Sequence, residues 1–452
     1  MKLLVIGSGG REHALAWRLV QNPNVQLVYV APGNAGTAHE DGLINVNITT
    51  IPDLLKFAQD EKIHLTVVGP EAPLAAGVVD AFQKAGLKIF GPTQRAAQLE
   101  SSKDFAKQFM VRHKIPTSKY ATFTNAADAC AYVEKEGAPI VIKADGLAAG
   151  KGVVVALTLR EAHDAIDMMF TEVTPSPPAG SAPLVTLSPR AGEGGQGAAV
   201  ARRGVSASTR VVIEEFMQGE EASFICMCDG VHALPFAASQ DHKRIFDGDL
   251  GPNTGGMGAY SPAPVVTPSV HARAIREVIL PTLRGMAEEG APFTGFLYAG
   301  LMIDADGNPR VVEFNARMGD PETQPIMMRL KSDFLTLVEH AIAGTLDQID
   351  AEWDKRAALG VVMAAGGYPD AQRRGDEITG LPAATAEARV FHAGTVEKDG
   401  RIETNGGRVL CVTALGDTVQ IAQQRAYRML EPIRFHGMQF RHDIGYRAID
   451  RR

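Results

Sequence analysis

Two lysines around a glycine-rich loop make residues 139–156 the segment best suited to bind an anion. Lys143 precedes the loop 146–152, and Lys151 lies inside it. Successive backbone N–H groups of such a loop can point at a phosphate, and the lysines add positive charge. A P-loop needs four residues before its Gly-Lys pair and a helix after it, whereas this loop has three and precedes a strand-like run. The pattern predicts a strand–loop–strand flap over a polyphosphate, with a flexible hairpin of solvated lysines as the alternative.

A second candidate site combines acidic and apolar side chains just after the strand-like run 211–213. A backbone hinge there can hydrogen-bond the edge of an adenine, and Phe216 and Met217 can pack near the ring. A carboxylate can accept hydrogen bonds from both ribose hydroxyls. The acidic residues available for this are Glu214, Glu215 and Glu221. The combination predicts an adenosine site, and the alternative is a solvated acidic face.

A third candidate is a polar pair on one strand. Asp306-Gly307 between two apolar runs is a strong signal for a β-hairpin. On the second strand of that hairpin, Glu313 and Asn315 are two residues apart and so point to one face. Two oxygen ligands on one face suit Mg²⁺ or Mn²⁺ bridging nucleotide phosphates, and Arg317 could hold a phosphate or carboxylate beside them. The alternative is a polar sheet face, although asparagine is disfavoured inside strands.

Glycine-rich turns near the N-terminus form a fourth candidate. The run Gly7-x-Gly9-x-x-Glu12 is similar to a dinucleotide fingerprint, but Glu12 stands where the third glycine belongs, and no acidic residue ends the second strand. A helix that begins behind glycines can still bind a phosphate. We therefore expect a phosphorylated small molecule rather than a nicotinamide cofactor. The alternative is a purely structural turn.

A fifth candidate lies in residues 239–260, where a basic pair precedes a loop with four glycines among ten residues. Such a composition is typical of loops that position a substrate. His242 has no acid–serine or acid–cysteine pattern beside it. We therefore expect a solvated or phosphate-contacting histidine there rather than a catalytic base.

The elements that must position these residues differ along the chain. Short apolar strands alternate with helical stretches through residues 1–102, which predicts a parallel α/β sheet. Ligands on such sheets bind beyond the carboxyl ends of the strands. The strand tips in this segment are rich in glycine and polar residues, so the N-terminal turns are expected to face a ligand.

The remaining chain divides into a mixed central segment and a smaller C-terminal one. Residues 103–330 contain a lid at about 120–212, with a Pro-, Gly- and Ser-rich insertion at about 173–209 that is expected to be disordered. From Gln324-Pro325-Ile326, a helix is predicted to run on to about residue 346. Many strand signals predict a small α+β domain within 331–452.

The composition predicts a cytoplasmic globular protein of roughly three domains. Hydrophobic residues make up 45% of its 452 residues, and the net charge is −7 without a Lys/Arg-rich run. Nucleic-acid and membrane-surface partners are therefore not expected. Cys226 and Cys228 lie on one face of an apolar strand, which favours buried thiols over metal ligands.

Together these segments resemble the ATP-grasp superfamily and, more closely, its phosphoribosylamine–glycine ligase (glycinamide ribonucleotide synthetase) family. The resemblance covers nearly the whole chain, and its motifs are GGREHA (9–14), PGNAGT (32–37), IKADGLAAGKG (142–152), QDHKR (240–244), GPNTGGMG (251–258) and GDPETQ (319–324). The chain departs from the family pattern at Ala316 and Met318 and in the longer connection at about 173–209. Neither replaced side chain is an expected ligand, so the resemblance still implies an active enzyme.

The resemblance implies ATP-dependent ligation of glycine to 5-phosphoribosylamine in purine biosynthesis, giving glycinamide ribonucleotide, ADP and phosphate. It implies a glycyl phosphate intermediate, Mg²⁺ or Mn²⁺ as cofactor, and no protein nucleophile. It also implies an N-terminal α/β domain, a central ATP-grasp domain and a C-terminal α+β domain. A monomer or weak homodimer is expected. The alternatives are a nicotinamide-dependent oxidoreductase, another ATP-grasp carboxylate–amine ligase, and a catalytically inactive nucleotide-binding protein.

The resemblance also assigns residues to each ligand. The implied catalytic residues are Arg317, Asp241 and Lys143. The implied ATP-binding residues are Lys103, Lys143, Gly146, Ala149, Gly150, Lys151, Gly152, Glu214, Glu215, Phe216, Met217 and Glu221. The implied residues for glycine and phosphoribosylamine are Gly9, Gly10, Arg11, Glu12, Asn34, Ala35, Gly36, Thr37, Glu71, Asp241, Lys243, Asn253, Thr254, Gly255, Arg317 and Asp320. The implied metal ligands are Glu313 and Asn315.

Overall fold

The computed structural model describes residues 1–146, 152–171 and 210–451. Its N-terminal segment forms a five-stranded parallel sheet in the order β3-β2-β1-β4-β5. The strands are β1 (Lys2–Gly7), β2 (Leu27–Pro32), β3 (Leu43–Asn45), β4 (Leu65–Val68) and β5 (Ile89–Phe90). The helices are α1 (Gly10–Leu19), α2 (Ala35–His39), α3 (Ile51–Asp60), α4 (Glu71–Ala75) and α5 (Val78–Lys84). The predicted parallel α/β sheet is confirmed.

A four-stranded antiparallel sheet in the order β6-β9-β7-β8, here called the lid sheet, follows two short connecting helices. These helices are α6 (Gln98–Ser101) and α7 (Lys103–Arg112). The sheet and its helices comprise β6 (Tyr120–Phe123), α8 (Ala126–Glu136), β7 (Ile140–Ala144), β8 (Val153–Ala156), α9 (Leu159–Thr171) and β9 (Val211–Glu215). The predicted strand–loop–strand arrangement is confirmed, because β7 and β8 pair on either side of the glycine-rich loop. The insertion at about 173–209 lies outside the described residues.

A second antiparallel sheet, in the order β11-β10-β16-β17, packs against the N-terminal segment. Its strands are β10 (Glu220–Asp229), β11 (Ala233–Pro235), β16 (Thr294–Ile303) and β17 (Pro309–Asn315). Alternate residues of β10 enter two different cores, as the period of a strand requires. Cys226 and Cys228 are fully buried on one of its faces, which confirms the expectation for these thiols.

Residues between and after these strands supply short hairpins and helices. They are β12 (Gln240–Asp241), β13 (Arg244–Phe246), β14 (Leu250–Asn253), β15 (Gly258–Ser261), α10 (Pro268–Arg273), α11 (Leu280–Glu288), α12 (Thr323–Arg329) and α13 (Phe334–Ala343). The predicted single helix up to about residue 346 is wrong. Leu330 adopts an extended backbone, and the side chain of Asp333 accepts a hydrogen bond from the Thr336 N–H to begin a new helix.

The C-terminal strands complete a five-stranded sheet in the order β12-β15-β18-β22-β19. The elements are β18 (Ala357–Ala364), β19 (Ala388–His392), β20 (Thr395–Lys398), β21 (Arg401–Thr404), β22 (Arg408–Gly416), α14 (Val419–Leu430) and α15 (Tyr446–Ile449). Because β12 and β15 come from the central segment, this sheet joins two parts of the chain that are distant in sequence. This shared sheet places the start of β22 beside the loop 253–256.

Candidate functional site

A cavity of about 830 Å³ brings together most of the residues that the sequence analysis selected. It lies between the lid sheet, helix α7 and the face of β17. The selected residues that line it are Arg11, Glu71, Lys103, Lys143, Gly146, Gly152, Glu214, Glu215, Phe216, Met217, Glu221, Asp241, Lys243, Asn253, Thr254, Gly255, Glu313, Asn315, Arg317 and Asp320. Segments more than 200 residues apart in sequence therefore meet at one site.

At one end of this cavity, two buried lysines flank the carboxylate of Glu214. Nζ of Lys107 lies 2.8 Å from Oε2 of Glu214, and Nζ of Lys143 lies 2.8 Å from Oε1. The contact with Lys143 is ionic rather than a well-directed hydrogen bond. Burial lowers the pKa of Lys107 to about 8 despite the attraction of Glu214. The arrangement concentrates positive charge where strand β9 ends.

The polar face of β17 lies beside further positive charge. Burial opposes ionisation of Glu313, but nearby lysines, with Lys243 the strongest, lower the pKa of this carboxyl. Nζ of Lys103 donates a hydrogen bond to the carbonyl of Gly146 at 2.7 Å, which ties helix α7 to the start of the glycine-rich loop. Asn315 is buried and lines the same cavity as Glu313. An ionised carboxylate and a neutral amide oxygen are thus held on one strand face, close to lysines.

Asp241 occupies an acidic part of the cavity. Burial raises its pKa to about 7; Lys243 opposes this shift, and the charges of Glu322 and Glu221 add to it. Lys243 is paired with Glu221. Glu322 accepts hydrogen bonds from the hydroxyls of Tyr298 (2.7 Å) and Ser223 (3.0 Å). This part of the cavity carries more carboxylates than cations and is suited to a ligand with an ammonium group.

Arg317 is held by two carboxylates from other elements. Its Nη2 lies 2.9 Å from Oε1 of Glu100, and its Nε lies 3.4 Å from Oε2 of Glu71. The other oxygen of Glu100 accepts a hydrogen bond from the N–H of Ala316 at 2.7 Å. Burial raises the pKa of Glu100, whereas Arg317 and Arg11 lower that of Glu71 against the effect of its own burial. The guanidinium of Arg317 is therefore oriented before any ligand binds.

A second cavity of about 680 Å³ lies between the N-terminal sheet and the C-terminal strands. The selected residues Gly9, Asn34, Ala35 and Asp320 line it. The side chain of Asn34 donates hydrogen bonds to the carbonyls of Ser8 and His392, each at 2.8 Å, and so joins an N-terminal turn to strand β19. Further lining residues come from the C-terminal segment and include Thr395, Glu397, Asn405 and Arg408.

Four of the selected residues that the structure describes line neither cavity and support the turns instead. The carboxylate of Glu12 accepts a hydrogen bond from the N–H of Gly9 at 2.6 Å, which holds the first turn, and Gly10 begins helix α1. The Thr37 hydroxyl donates to the side-chain oxygen of Asn45 at 2.7 Å. A Cβ on Gly36 would lie 2.5 Å from the ring of His392, so only glycine fits there.

His242 departs from its expected role. Its side chain is completely buried, and its Nε2 accepts a hydrogen bond from the N–H of Gly445 at 3.0 Å. Burial lowers the pKa of this imidazole. The prediction of a solvated or phosphate-contacting histidine is wrong, because residues close to the C-terminus fold over this position. Ala149, Gly150 and Lys151 of the glycine-rich loop lie outside the described residues.

Models of the three domains of phosphoribosylglycinamide synthetase match this chain. The N domain matches residues 1–100, the ATP-grasp (A) domain 101–180 and 196–323, and the C domain 358–447. The chain belongs to this family. These matches confirm the fold class and the family resemblance that the sequence motifs predicted.

Relatives within the family match over their full length. Phosphoribosylamine–glycine ligase of Ralstonia nicotianae is 62% identical over 451 residues, 100% of each chain, and that of Neisseria meningitidis serogroup B is 60% identical over 452 residues, 100% of each. The crystal structure of phosphoribosylamine–glycine ligase from Thermotoga maritima has a TM-score of 0.80 and 34% identity, covering 98% of this chain and 100% of that one.

A more distant structure shares the fold alone. Biotin carboxylase from Campylobacter jejuni has a TM-score of 0.68 at 14% identity, covering 100% of this chain and 95% of that one. Its likeness shows that this fold also occurs outside this family. Among the residues that the structure describes, no helix is both long and apolar enough to span a membrane.

Several lining residues in this family member were missed by reasoning from sequence. They are Glu100, Lys107, Tyr298, Glu322, Tyr368, Arg408 and Arg447. Lys107 had a usable signal, since it follows Lys103 by one helical turn and so shares its helix face. Glu322 also had a signal, since it lies in the motif GDPETQ (319–324). The others have no local signal, because the packing of distant parts of the chain places their elements beside the cavity.

Proposed function

We propose that this chain catalyses the ATP-dependent ligation of glycine to 5-phosphoribosylamine, the reaction named in its full-length relatives. The observation that carries the proposal is the meeting of Lys103 and Lys143 with Glu313 and Asn315 in one cavity. Lysines and oxygen donors in this arrangement suit a nucleotide polyphosphate and its metal. The adjoining smaller cavity supplies a separate place for a second substrate.

The reaction needs two displacement steps. A carboxylate oxygen of glycine would bond to the γ-phosphorus of ATP while the bond to the ADP oxygen breaks, giving glycyl phosphate. The amine of phosphoribosylamine would then bond to the glycyl carbonyl carbon, with phosphate as leaving group and loss of one proton from the nitrogen. Neither step requires a protein nucleophile, so the enzyme acts through positioning and charge neutralisation.

Each ligand has a proposed position. The adenosine lies along Glu214–Met217 with Glu221, and Lys103, Lys143 and the glycine-rich loop contact its phosphates. The glycine ammonium faces Asp241, and the glycine carboxylate faces Arg317. Phosphoribosylamine occupies the smaller cavity, and its amine points towards Asp320, which lines both cavities. The position of phosphoribosylamine is supported by the amide and hydroxyl groups of that cavity, which can bind ribose hydroxyls.

Glu313 and Asn315 fit a divalent cation of the Mg²⁺ or Mn²⁺ type. Both present oxygen atoms from one strand face, and the low pKa of Glu313 keeps its carboxylate ionised. Within the described ranges, no cluster of three or more His, Cys, Asp or Glu side chains is arranged to hold an ion. The cation would neutralise charge on the β- and γ-phosphates.

Substrate dependence of ADP and phosphate release tests the proposal. We expect release from ATP and Mg²⁺ to require both glycine and freshly prepared phosphoribosylamine for sustained turnover, with glycinamide ribonucleotide detected by mass spectrometry. Turnover with other acids or amines but not with this pair would instead indicate a different ATP-grasp ligase. Release that is independent of both substrates would contradict the proposal. The choice of metal, a monomer or weak homodimer, and a cytoplasmic location stay predictions.

A further inference from the structure

The C-terminal segment reaches the junction of the two cavities through a single arginine. Arg408, at the start of β22, and Asp320 are the two described residues that line both cavities. The Arg408 side chain is 22% exposed. The amine and the activated glycine must meet where the two cavities join, so residues at this point control their alignment.

Arg408 connects the C-terminal segment to two parts of the central segment. Its Nη1 donates hydrogen bonds to the carbonyl of Gly255 at 2.6 Å and to the carbonyl of Asp320. Its Nη2 lies 3.1 Å from Oδ2 of Asp320. A guanidinium can make several such bonds at once because its donors are fixed in one plane. The single side chain therefore fixes both the backbone and the carboxylate of Asp320.

Tyr368 binds the loop 253–256 at the same residue as Arg408, but through the backbone N–H of Gly255 rather than through its carbonyl. Its hydroxyl accepts a hydrogen bond from the N–H of Gly255 at 2.9 Å. The N–H and the carbonyl of Gly255 are thus both bonded to C-terminal residues. A Cβ at this position would lie 3.0 Å from the Arg408 guanidinium, which shows how closely the loop and the arginine pack.

Charge at the junction also depends on this arginine. Among the described residues that line the smaller cavity, Arg408 supplies the positive charge, and Asp320 and Glu397 supply the negative charge. Loss of Arg408 would leave Asp320 with one fewer partner in a largely buried position. The junction would then become more negative, which disfavours an anionic phosphoribosyl ligand.

We infer that Arg408 and Tyr368 are positioning residues for phosphoribosylamine, holding the loop 253–256 and Asp320 where the two cavities meet. The inference rests on the proposed function. The adenine end of the larger cavity is built by helix α7 and strand β9, which belong to a different part of the chain. Changes at Arg408 should therefore affect the second substrate much more than ATP.

Steady-state kinetics of four variants test this inference. We expect Arg408→Gln to raise KM for phosphoribosylamine about tenfold or more while KM for ATP changes by less than about twofold. Arg408→Lys should restore part of the loss, because an ammonium can still contact Asp320 but cannot also reach both carbonyls. Tyr368→Phe should give a smaller rise, because it removes one hydrogen bond. The matched control is Arg401→Gln, an arginine 65% exposed on the same segment.

The outcomes separate the inference from the proposed function. If the unaltered enzyme shows no turnover dependent on phosphoribosylamine, both are overturned. If that dependence is normal but Arg408→Gln and Tyr368→Phe match the Arg401→Gln control, the inference alone is overturned. Equal losses for ATP and phosphoribosylamine, with a lower thermal midpoint, would show a general structural role and also overturn it. A selective rise in KM for phosphoribosylamine, with partial rescue by lysine, supports it.

Discussion

At the scale of single residues, the ionised carboxyl of Asp241 lowers the stability of the folded protein. Its carboxyl is buried near Glu322 and Glu221, so its pKa rises to about 7 from an ordinary value near 3.8. Between these values the folded chain binds a proton that the unfolded chain releases. The free energy of unfolding therefore falls as pH rises from about 4 to 7. Above pH 7, where the carboxyl is ionised in both states, its full destabilising effect is present. A bound ammonium group would relieve that effect.

The substitution Asp241→Asn removes this ionisable group while keeping its size. We expect the thermal midpoint to rise by roughly 2–4 °C at pH 8 relative to the unaltered protein, with little difference near pH 4. Calorimetry at the two pH values gives the measurement, and the exposed Asp41→Asn is the matched control. An equal effect of Asp241→Asn at both pH values would show that its carboxyl is not destabilised by its surroundings.

At the scale of elements, helix α7 supplies two lysines to the end of the cavity where we propose that the nucleotide binds. Ser102 caps the helix by accepting a hydrogen bond from the Phe105 N–H, which sets the phase of the turns that follow. Lys103 and Lys107 then lie one turn apart on the same face. Lys107 is 2% exposed and donates hydrogen bonds to the hydroxyls of Thr117 and Ser118. The helix thereby aligns its two charges with strand β9.

Lys107→Met should disturb both stability and nucleotide binding. It leaves the buried Glu214 paired with Lys143 alone, which draws Lys143 away from a phosphate. We expect the free energy of unfolding to fall by roughly 3–5 kcal/mol and KM for ATP to rise about tenfold. Chemical denaturation and steady-state kinetics are the measurements. The exposed Lys135→Met serves as control, and unchanged KM for ATP in the Lys107 variant would argue against its place at the nucleotide.

At the scale of the whole molecule, the N-terminal and C-terminal segments are joined through Arg389. Its guanidinium lies 4.4 Å from the ring centre of Trp17 and 5.0 Å from that of Phe391. It also pairs with Glu40, whose pKa falls to about 2 because His13 and Arg389 outweigh the effect of burial. Such a cation between aromatic rings and a carboxylate stabilises an interface when it is shielded from water. The smaller cavity lies at this interface.

Arg389→Ala should weaken the whole molecule rather than one ligand site. We expect a loss of roughly 3–5 kcal/mol in the free energy of unfolding, because Glu40 keeps its charge without its main partner. Differential scanning calorimetry measures the fall in thermal midpoint. Arg401→Ala, on an exposed side chain of the same segment, should change the midpoint by much less. Similar midpoints for the two variants would contradict a stabilising role for this contact.

Local patterns in the chain were sufficient for much of this description. Alternating strands and helices predicted the N-terminal sheet, and Asp306-Gly307 predicted the hairpin that carries Glu313 and Asn315 on one face. These succeed because turn chemistry and side-chain periodicity act over a few residues. The prediction of one helix up to about residue 346 was wrong because the chain breaks the helix at Leu330. Polar residues follow Leu330, whose backbone is extended, and the capping side chain of Asp333 begins a second helix.

The sequence by itself determined the family and the chemistry of the larger cavity, because the reactive residues lie in short motifs whose spacing sets their local orientation. Only the tertiary structure decided which of them line a cavity. Glu12 and Thr37 hold turns, His242 is buried under the C-terminus, and Arg408 reaches the junction of the cavities. For His242 and Arg408 the physical reason is that their contacts come from residues 203 and 153 positions away in sequence, whose distances are set by packing rather than by spacing along the chain.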